Sequence, residues 1–459
     1  VSDCAADEGI GQRHAFLVTL ALGTSSFLTQ FDVTAVVIAM PAIAKDLGFG
    51  VAGFAWIIDA YSLAFTGALL AAGALADRFG RRRSMLGGNV VFLLASIGCG
   101  IATTGPVLFA ARVLQGAGAA FLVTGALALV ASAFPGAGQR ARAFGVLGVI
   151  SGVAMALGPT LGSFLASWFG WRWIFLANIP FCTALALAVP RLVAENRDPE
   201  GRPLDPVGVA LLTMSLGLAI DTLLRHDASA VTRAACLIGS AAGAALFAWH
   251  QSRSPRPLLD PRVFATSAMA GVGALLTAIQ FGYWAVLVYL PLFLNTGLRV
   301  SIEFAGVALL AATLPMLLVP PIGGRLASQR GWKLLFTIAF GVMAIGDASL
   351  VISALSETPS TRLVATLVGM LAIGVGAALA NPQLSGVAIA LAPPAQAGVA
   401  SAVMMIVRQG GFAISIAVLG ALLGTSNDVT AFVLPFTLAA LVALLGTAAA
   451  LMLLPSKST

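Results

Sequence analysis

Residues 73–83 read GALADRFGRRR and sit between two long apolar runs, in a chain whose residues are only 9% charged. Asp77, Arg78, Arg81, Arg82 and Arg83 are too densely charged for hydrocarbon. The segment is therefore a tight, water-exposed loop joining two membrane-crossing helices. The pattern recurs at 324–333 as GRLASQRGWK. Gly73, Leu75, Ala76, Gly80 and Arg82 align with Gly324, Leu326, Ala327, Gly331 and Lys333 at an offset of 251 residues. A membrane chain built from two related halves suits transport, because two halves can rock about a site between them.

Hydrophobic residues make up 59% of the 459, more than a soluble core needs, and many apolar runs exceed the ~20 residues that cross a bilayer as helix. Fourteen spans are expected, near 15–40, 53–76, 84–103, 106–133, 142–166, 173–192, 206–224, 231–250, 265–291, 303–325, 332–354, 361–390, 397–424 and 430–454. With the N-terminus in the cytoplasm, seventeen of the 25 Lys and Arg fall in cytoplasmic segments and six outside. Arg112 and Arg408 are intramembrane. This split obeys the positive-inside rule and accounts for the net charge of +7 without nucleic acid. The acidic N-terminal stretch and the long first run argue against a cleavable signal, so that run is expected to stay as helix 1. Cys99, Cys182 and Cys236 lie in apolar runs without metal-ligand spacing and read as small packed hydrophobes. His14, His226 and His250 stand at run ends, which argues against a metal site or a histidine proton relay. No cofactor is expected.

The fold class expected is all-α integral membrane, in three parts. Residues 13–192 form an N-terminal six-helix bundle, 193–262 hold two inserted helices with their cytoplasmic flanks, and 263–456 form a C-terminal six-helix bundle. Helices 7 and 8 have no counterpart in the repeat and are expected at the periphery.

Charges within spans are costly and usually functional. Asp32 in helix 1, Asp59 in helix 2 and Arg112 in helix 4 stand at similar depth in the outer half of the membrane, so the three are expected to face one another inside the N-terminal bundle. Such a trio either couples proton uptake and release to movement or forms a static ion pair that fixes helix packing. Shifting Asp32 and Asp59 by 251 lands on Tyr283 and Leu310, which confines the expected coupling to the N-terminal half. The C-terminal half is left to substrate contact and movement. Asp347 in helix 11 is a minor candidate, and Arg408 in helix 13 reads equally as an ion-pair member or as a backbone-bonded guanidinium. Asp221 near the end of helix 7 can snorkel, and Glu303 opens helix 10, where it meets the helix N-terminus. Asp77 can pair with Arg142 of the next cytoplasmic loop, or meet a helix N-terminus in the other half. Gly73, Asp77, Arg78, Gly80, Arg81, Arg82 and Arg142 then form a conformational latch. Gly148, Gly152, Gly158, Pro159 and Gly162 make a small-residue stripe with a kink on helix 5, suited to a tight seam. A pocket for lipophilic compounds needs apolar and aromatic walls. Asp59, Tyr61, Gln280, Phe281, Tyr283, Trp284 and Asn381 are the candidates for substrate contact.

Taken together, these motifs resemble the major facilitator superfamily, in its fourteen-helix drug:proton antiporter branch, over nearly the whole chain. GALADRFGRRR resembles the signature loop between helices 2 and 3. FDVTAVVIAMPAI, with Asp32, Thr34 and Pro41, resembles the helix 1 motif. RVLQGAGAA resembles the helix 4 motif with its intramembrane arginine, here Arg112. Gly158-Pro159-x-x-Gly162 resembles the antiporter motif of helix 5. WRWIFLANIP at 171–180 and RQGG at 408–411 resemble the patterns of helices 6 and 13, and WIIDAYSL at 56–63 resembles exporters of quaternary-ammonium compounds. The resemblance implies two six-helix bundles plus two inserted helices. It further implies a proton-coupled exporter of lipophilic, cationic drugs or antiseptics, acting as a monomer in a bacterial inner membrane with both termini cytoplasmic. Relatives that handle dications carry further acids in helices 10 and 13. Here Glu303 lies at the rim and helix 13 has none, which favours monovalent or neutral substrates. Export of one endogenous compound is the alternative transport reading, and a membrane sensor or scaffold the alternative outside transport. No HExxH or GxSxG pattern supports an intramembrane enzyme.

Overall fold

The computed structural model describes residues 2–134, 137–196, 205–224, 229–254, 267–391, 397–423 and 428–454, which are helix and connecting turn with no strand among them. Arg197, Arg202, Arg225, His226, Arg256, Arg262 and Lys457 lie outside these residues. The helices are α1 (Ser2–Leu47), α2 (Val51–Phe79), α3 (Arg81–Gly100), α4 (Gly105–Ala133), α5 (Ala137–Trp168) and α6 (Arg172–Leu176 with Asn178–Leu192). Next come α7 (Pro206–Leu224) and α8 (Ala230–Arg253). The second half begins with α9, in which Ser267–Ile279 and Val286–Gly297 are joined by a π-helical turn at Gln280–Ala285. In α10, four short pieces run from Ile302 to Arg330. The chain ends with α11 (Trp332–Leu355), α12 (Pro359–Leu391), α13 (Ala397–Leu423) and α14 (Val433–Leu453).

Ten helices among the described residues are long and apolar enough to cross a membrane, and the bent pair in α10 makes an eleventh. Three shorter apolar stretches, Ala55–Leu69, Pro206–Thr222 and Val407–Leu423, stand where α2, α7 and α13 were expected to span. The count of fourteen is thus met by length and composition for ten or eleven. Proline accounts for the 46° bend in α10. Pro315, Pro320 and Pro321 each lack a backbone donor, and the helix breaks around them.

The duplicated loop has the same geometry in both halves. Gly80 ends α2 at φ 110°, with its N–H donating to the Ala76 carbonyl at 3.0 Å. Gly331 ends α10 at φ 86°, with its N–H on the Ala327 carbonyl at 2.9 Å. These are repeat-equivalent glycines capping repeat-equivalent helices, and each holds a backbone conformation that L side chains rarely adopt.

Packing shows where the halves join. One apolar cluster belongs to the N-terminal half alone and gathers Leu22, Leu28, Phe65, Phe92 and Leu122. The other fills the C-terminal half and continues into Phe31–Ile43 of α1 and Ala55–Ile58 of α2, the ends remote from the 73–83 loop. At that remote end α5 lies between α1 and α10. A methyl at Gly162 would stand 2.9 Å from the Ala35 Cα, and one at Gly158 would overlap the Thr34 side chain. On the opposite face, Thr160 donates to the Gly306 carbonyl at 2.8 Å, and Thr313 of α10 donates to Ala156 at 2.8 Å. Toward the loop end the seam opens. A methyl at Gly152 would stand 3.7 Å from Leu317 and Met316 of α10, and one at Gly148 would meet nothing within 4 Å. The five-residue stripe is therefore a seam only over Gly152–Gly162.

The inserted pair divides in two. α8 is the outer member, with Val231 80% and Ile238 69% exposed, as a lipid-facing helix would be. α7 is not peripheral: it packs on both α2 and α13. Gly67 of α2 lies flush against Thr213, and Gly410 of α13 faces Leu216. Small residues on the two flanking helices admit α7 between them. At the start of the pair, Asp205 accepts from the Gly208 N–H at 2.8 Å and contacts His250 and Gln251 of α8 at 2.8 and 2.9 Å. Burial pushes the Asp205 carboxyl up, but these hydrogen bonds outweigh it and hold the group below its ordinary value.

Candidate transport site

Five helix positions converge inside the N-terminal bundle. Asp32 of α1 is fully buried, and Arg112 Nη1 lies 2.5 Å from its Oδ2. Gln115, three residues along α4 and so on the same face, donates to Asp32 Oδ1 at 2.7 Å and accepts from Arg112 Nη1 at 2.7 Å. Asn178 of α6 donates to the same Oδ1 at 3.1 Å. Ser96 of α3 accepts from both amides, at 2.9 Å from Gln115 and 3.3 Å from Asn178. The Arg112 guanidinium also lies 4.4 Å from the Tyr61 ring centroid. A buried charge needs a partner and further hydrogen bonds to be tolerated, and this carboxylate has both. Gln115, Asn178 and Ser96 are additions to the residues expected. Their signals are the three-residue spacing from Arg112 and a place within the 171–180 motif, and both are weak because neither residue is charged.

Asp59 does not join this network. Ile57 and Tyr61 are the α2 residues that reach Arg112, the first through its carbonyl at 3.5 Å from Nε. At ~100° per residue, Asp59 points away from the face that those two share. It is fully buried, and neither carboxylate oxygen has a hydrogen-bond partner among the described residues. The helix that carries it, α2, packs on α13 of the second half. The expected trio is thus a pair plus a lone acid on another face of α2.

The substrate-contact candidates are mostly held in packing. Tyr61 lies under Arg112, Gln280 donates to the Arg408 carbonyl at 2.5 Å, and the Tyr283 hydroxyl donates to Ala312 at 3.2 Å. Trp284 meets Tyr283 and Phe412 edge-on, while Phe281 and Asn381 are half-buried. No acid pairs with Arg408 among the described residues.

The 73–83 loop is anchored by a residue that was not expected, Glu195. Its carboxylate accepts from the backbone N–H of Arg82 at 3.0 Å and of Arg83 at 3.1 Å, capping the N-terminus of α3. Arg82 Nη1 reaches the Val193 carbonyl at 2.9 Å, and the Arg81 N–H reaches Asn196 at 2.8 Å. Arg78 stacks on Phe79, Gly73 has open space around it, and Arg142 is exposed. The side chain of Asp77 lies outside the described residues, and so does the expected Asp77–Arg142 pairing. Glu195 also explains the need for glycine at 80, where a methyl would stand 2.7 Å from its carboxylate. Gly80→Ala should therefore lower stability by about 2 kcal/mol, from backbone strain and a displaced cap together. Thermal unfolding should show Gly80→Ala combined with Glu195→Ala costing less than the two separately, because both remove one contact.

A helical chain with paired halves, and with a buried ion pair and a lone buried acid in the first, is a multi-pass membrane transport protein and not an enzyme. The chain belongs to the Major Facilitator Superfamily, whose model matches residues 22–416 and 280–459. The multidrug resistance protein Stp of Mycobacterium tuberculosis is 32% identical to it, over 90% of this chain and 76% of that protein. The methylenomycin A resistance protein of Streptomyces coelicolor is 31% identical, over 89% and 86%. The drug efflux pump JefA of M. tuberculosis is 30% identical, over 80% and 72%. Among solved structures, a peptide transporter in complex with sulfate shares the fold at TM-score 0.69 and 16% identity, covering 94% of each chain. A D-xylose–proton symporter shares it at 0.68 and 16%, covering 97% of this chain and 99% of that one.

Proposed function

We propose that this chain is a proton-coupled antiporter exporting lipophilic, monovalent cationic drugs or antiseptics from the cytoplasm or inner leaflet by alternating access. Protons are its only coupling ion. It works as a monomer in the bacterial inner membrane with both termini cytoplasmic. The observation that carries this reading is Asp59, buried without a partner among the described residues on α2, a helix that packs on α13 of the second half. An ionised carboxylate there costs several kcal/mol, so a proton or a cationic substrate each relieves it, and the two compete. Direct competition for one carboxylate is the simplest form of antiport. Asp32 and Arg112 act as the coupling pair whose separation accompanies movement. In the assumed orientation the joined ends of the halves face outward, so this conformation is closed outside and opens inward. The names of the mycobacterial relatives support drug export, and that of the Streptomyces relative supports the narrower reading of one dedicated antibiotic.

The test uses everted membrane vesicles holding a proton gradient, challenged with lipophilic cations and neutral drugs. Collapse of the gradient by cations only where the protein is present supports the proposal. A full panel that leaves the gradient intact sinks multidrug antiport, and a response confined to one compound favours the dedicated exporter.

A further inference from the structure

The Asp32 network has a repeat-related counterpart that carries its acid on the other helix. Advancing Asp32 by 251 residues gives Tyr283, within the π-helical turn Gln280–Ala285 of α9. Advancing Ser96, which faces Asp32 from α3, gives Asp347 of α11. The N-terminal half thus places acid on its first helix and hydroxyl on its third. The C-terminal half places hydroxyl on the first helix of the repeat and acid on the third. Arg112 falls on Leu363, so the counter-charge of the first site is not repeated.

Asp347 is fully buried. A methyl at Gly282 in the π-turn would stand 3.3 Å from its Oδ2, so the carboxyl lies against the turn where glycine leaves the backbone bare. Among the described residues neither of its oxygens has a partner, and Gln280 Oε1 and Trp284 Nε1 of the same turn are also buried and unpartnered. Gln280 and Trp284 lie on the α13 side of the turn, so it is the two Asp347 oxygens, against Gly282, that call for an explanation, and π-turns recur at functional sites. Among the described residues, the groups facing Asp347 from the helices around it give no counter-charge. The π-turn brings Tyr283, which donates to Ala312, and α14 brings no charged residue among those described. Arg362 of α12 donates to the Ser356 carbonyl at the helix end, and Arg325 and Arg330 lie on the last piece of α10. A drug-sized ligand has no room here, because Met343 already fills the space beside Gly282. A proton needs none.

We propose that Asp347 and the π-turn of α9 form a second proton-binding site, in the C-terminal half. The acid holds a proton in the conformation described here and exchanges it with water when the turn moves. This inference rests on the proton-antiport reading for its role in transport, but the site itself does not depend on that role.

The first measurement is therefore independent of transport. Infrared difference spectra of the purified full-length chain, taken across a pH change, should contain a neutral carboxylic C=O component that Asp347→Asn removes and Asp59→Asn leaves. An identical spectrum from Asp347→Asn overturns the site. If that variant does not fold, Gly282→Ala, which keeps the acid but presses on it, should shift the same component; an unshifted spectrum overturns the proposal. In proteoliposomes exchanging protons for tetraphenylphosphonium, Asp347→Asn should lower the protons moved per cation by one. An unchanged ratio overturns the role of Asp347 in coupling, whereas failure of the unaltered protein to couple protons to the cation counts against the antiport reading and leaves the infrared result to decide the site.

Discussion

Asp59→Asn should fold as well as the unaltered protein and yet fail to couple. Asparagine has nearly the shape of the neutral acid, and neither carboxylate oxygen of Asp59 has a hydrogen bond to lose. Thermal unfolding should therefore move little. In everted vesicles, the dissipation of a proton gradient by lipophilic cations should fall to the level seen without the protein, because a group that neither titrates nor carries charge cannot exchange a proton for a cation. Asp59→Glu should retain part of the flux, since it keeps the titratable group while displacing it by one methylene. Undiminished cation-driven flux in Asp59→Asn would remove Asp59 from the mechanism. Loss for cations alone, with neutral compounds still collapsing the gradient, would make Asp59 a cation contact and move the coupling proton to another acid.

The difference between Asp59 and Asp32 was only partly legible in the sequence. Charge inside an apolar run marks a residue as unusual, which is why Asp32, Asp59 and Arg112 stand out without any structure. Depth alone placed them together. The helical period separates them, because Arg112 takes the Ile57–Tyr61 face of α2 and Asp59 lies on another. The groups that finish the Asp32 site are uncharged, and a Gln, an Asn or a Ser in a helix carries no signal until a partner is known. Glu195 was hidden for a different reason: it acts on a loop more than 110 residues earlier, through backbone N–H groups that no side-chain pattern reveals. The glycines at 80 and 331 were legible because charge and repeat both pointed at them. The π-turn was not, since QFGYWA reads as ordinary aromatic membrane helix. Nor was the place of α7, whose insertion outside the repeat suggested the periphery while small residues on α2 and α13 admit it between them.

The largest loss of stability should come from splitting the Asp32–Arg112 pair. Arg112→Ala leaves a fully buried carboxylate with only the Gln115 and Asn178 amides, and an uncompensated buried charge costs about 3–5 kcal/mol. The stacking on Tyr61 is lost as well, on the order of 1 kcal/mol. Arg112→Lys should recover only part of this. One ammonium cannot reproduce a planar fork that reaches Asp32, Gln115 and the Ile57 carbonyl together. Asp32→Asn strands the guanidinium instead and should cost a similar amount. Combining Asp32→Asn with Arg112→Gln removes both charges, and a neutral hydrogen-bonded pair can be as stable as the ion pair it replaces. The double variant should therefore unfold near the temperature of the unaltered protein, well above either single variant. Its transport separates the two meanings of the pair. If the double variant regains stability but not proton-coupled efflux, the charges serve movement. If efflux returns with the fold, Asp32 and Arg112 only hold four helices together, and coupling belongs to the acids that have no partner.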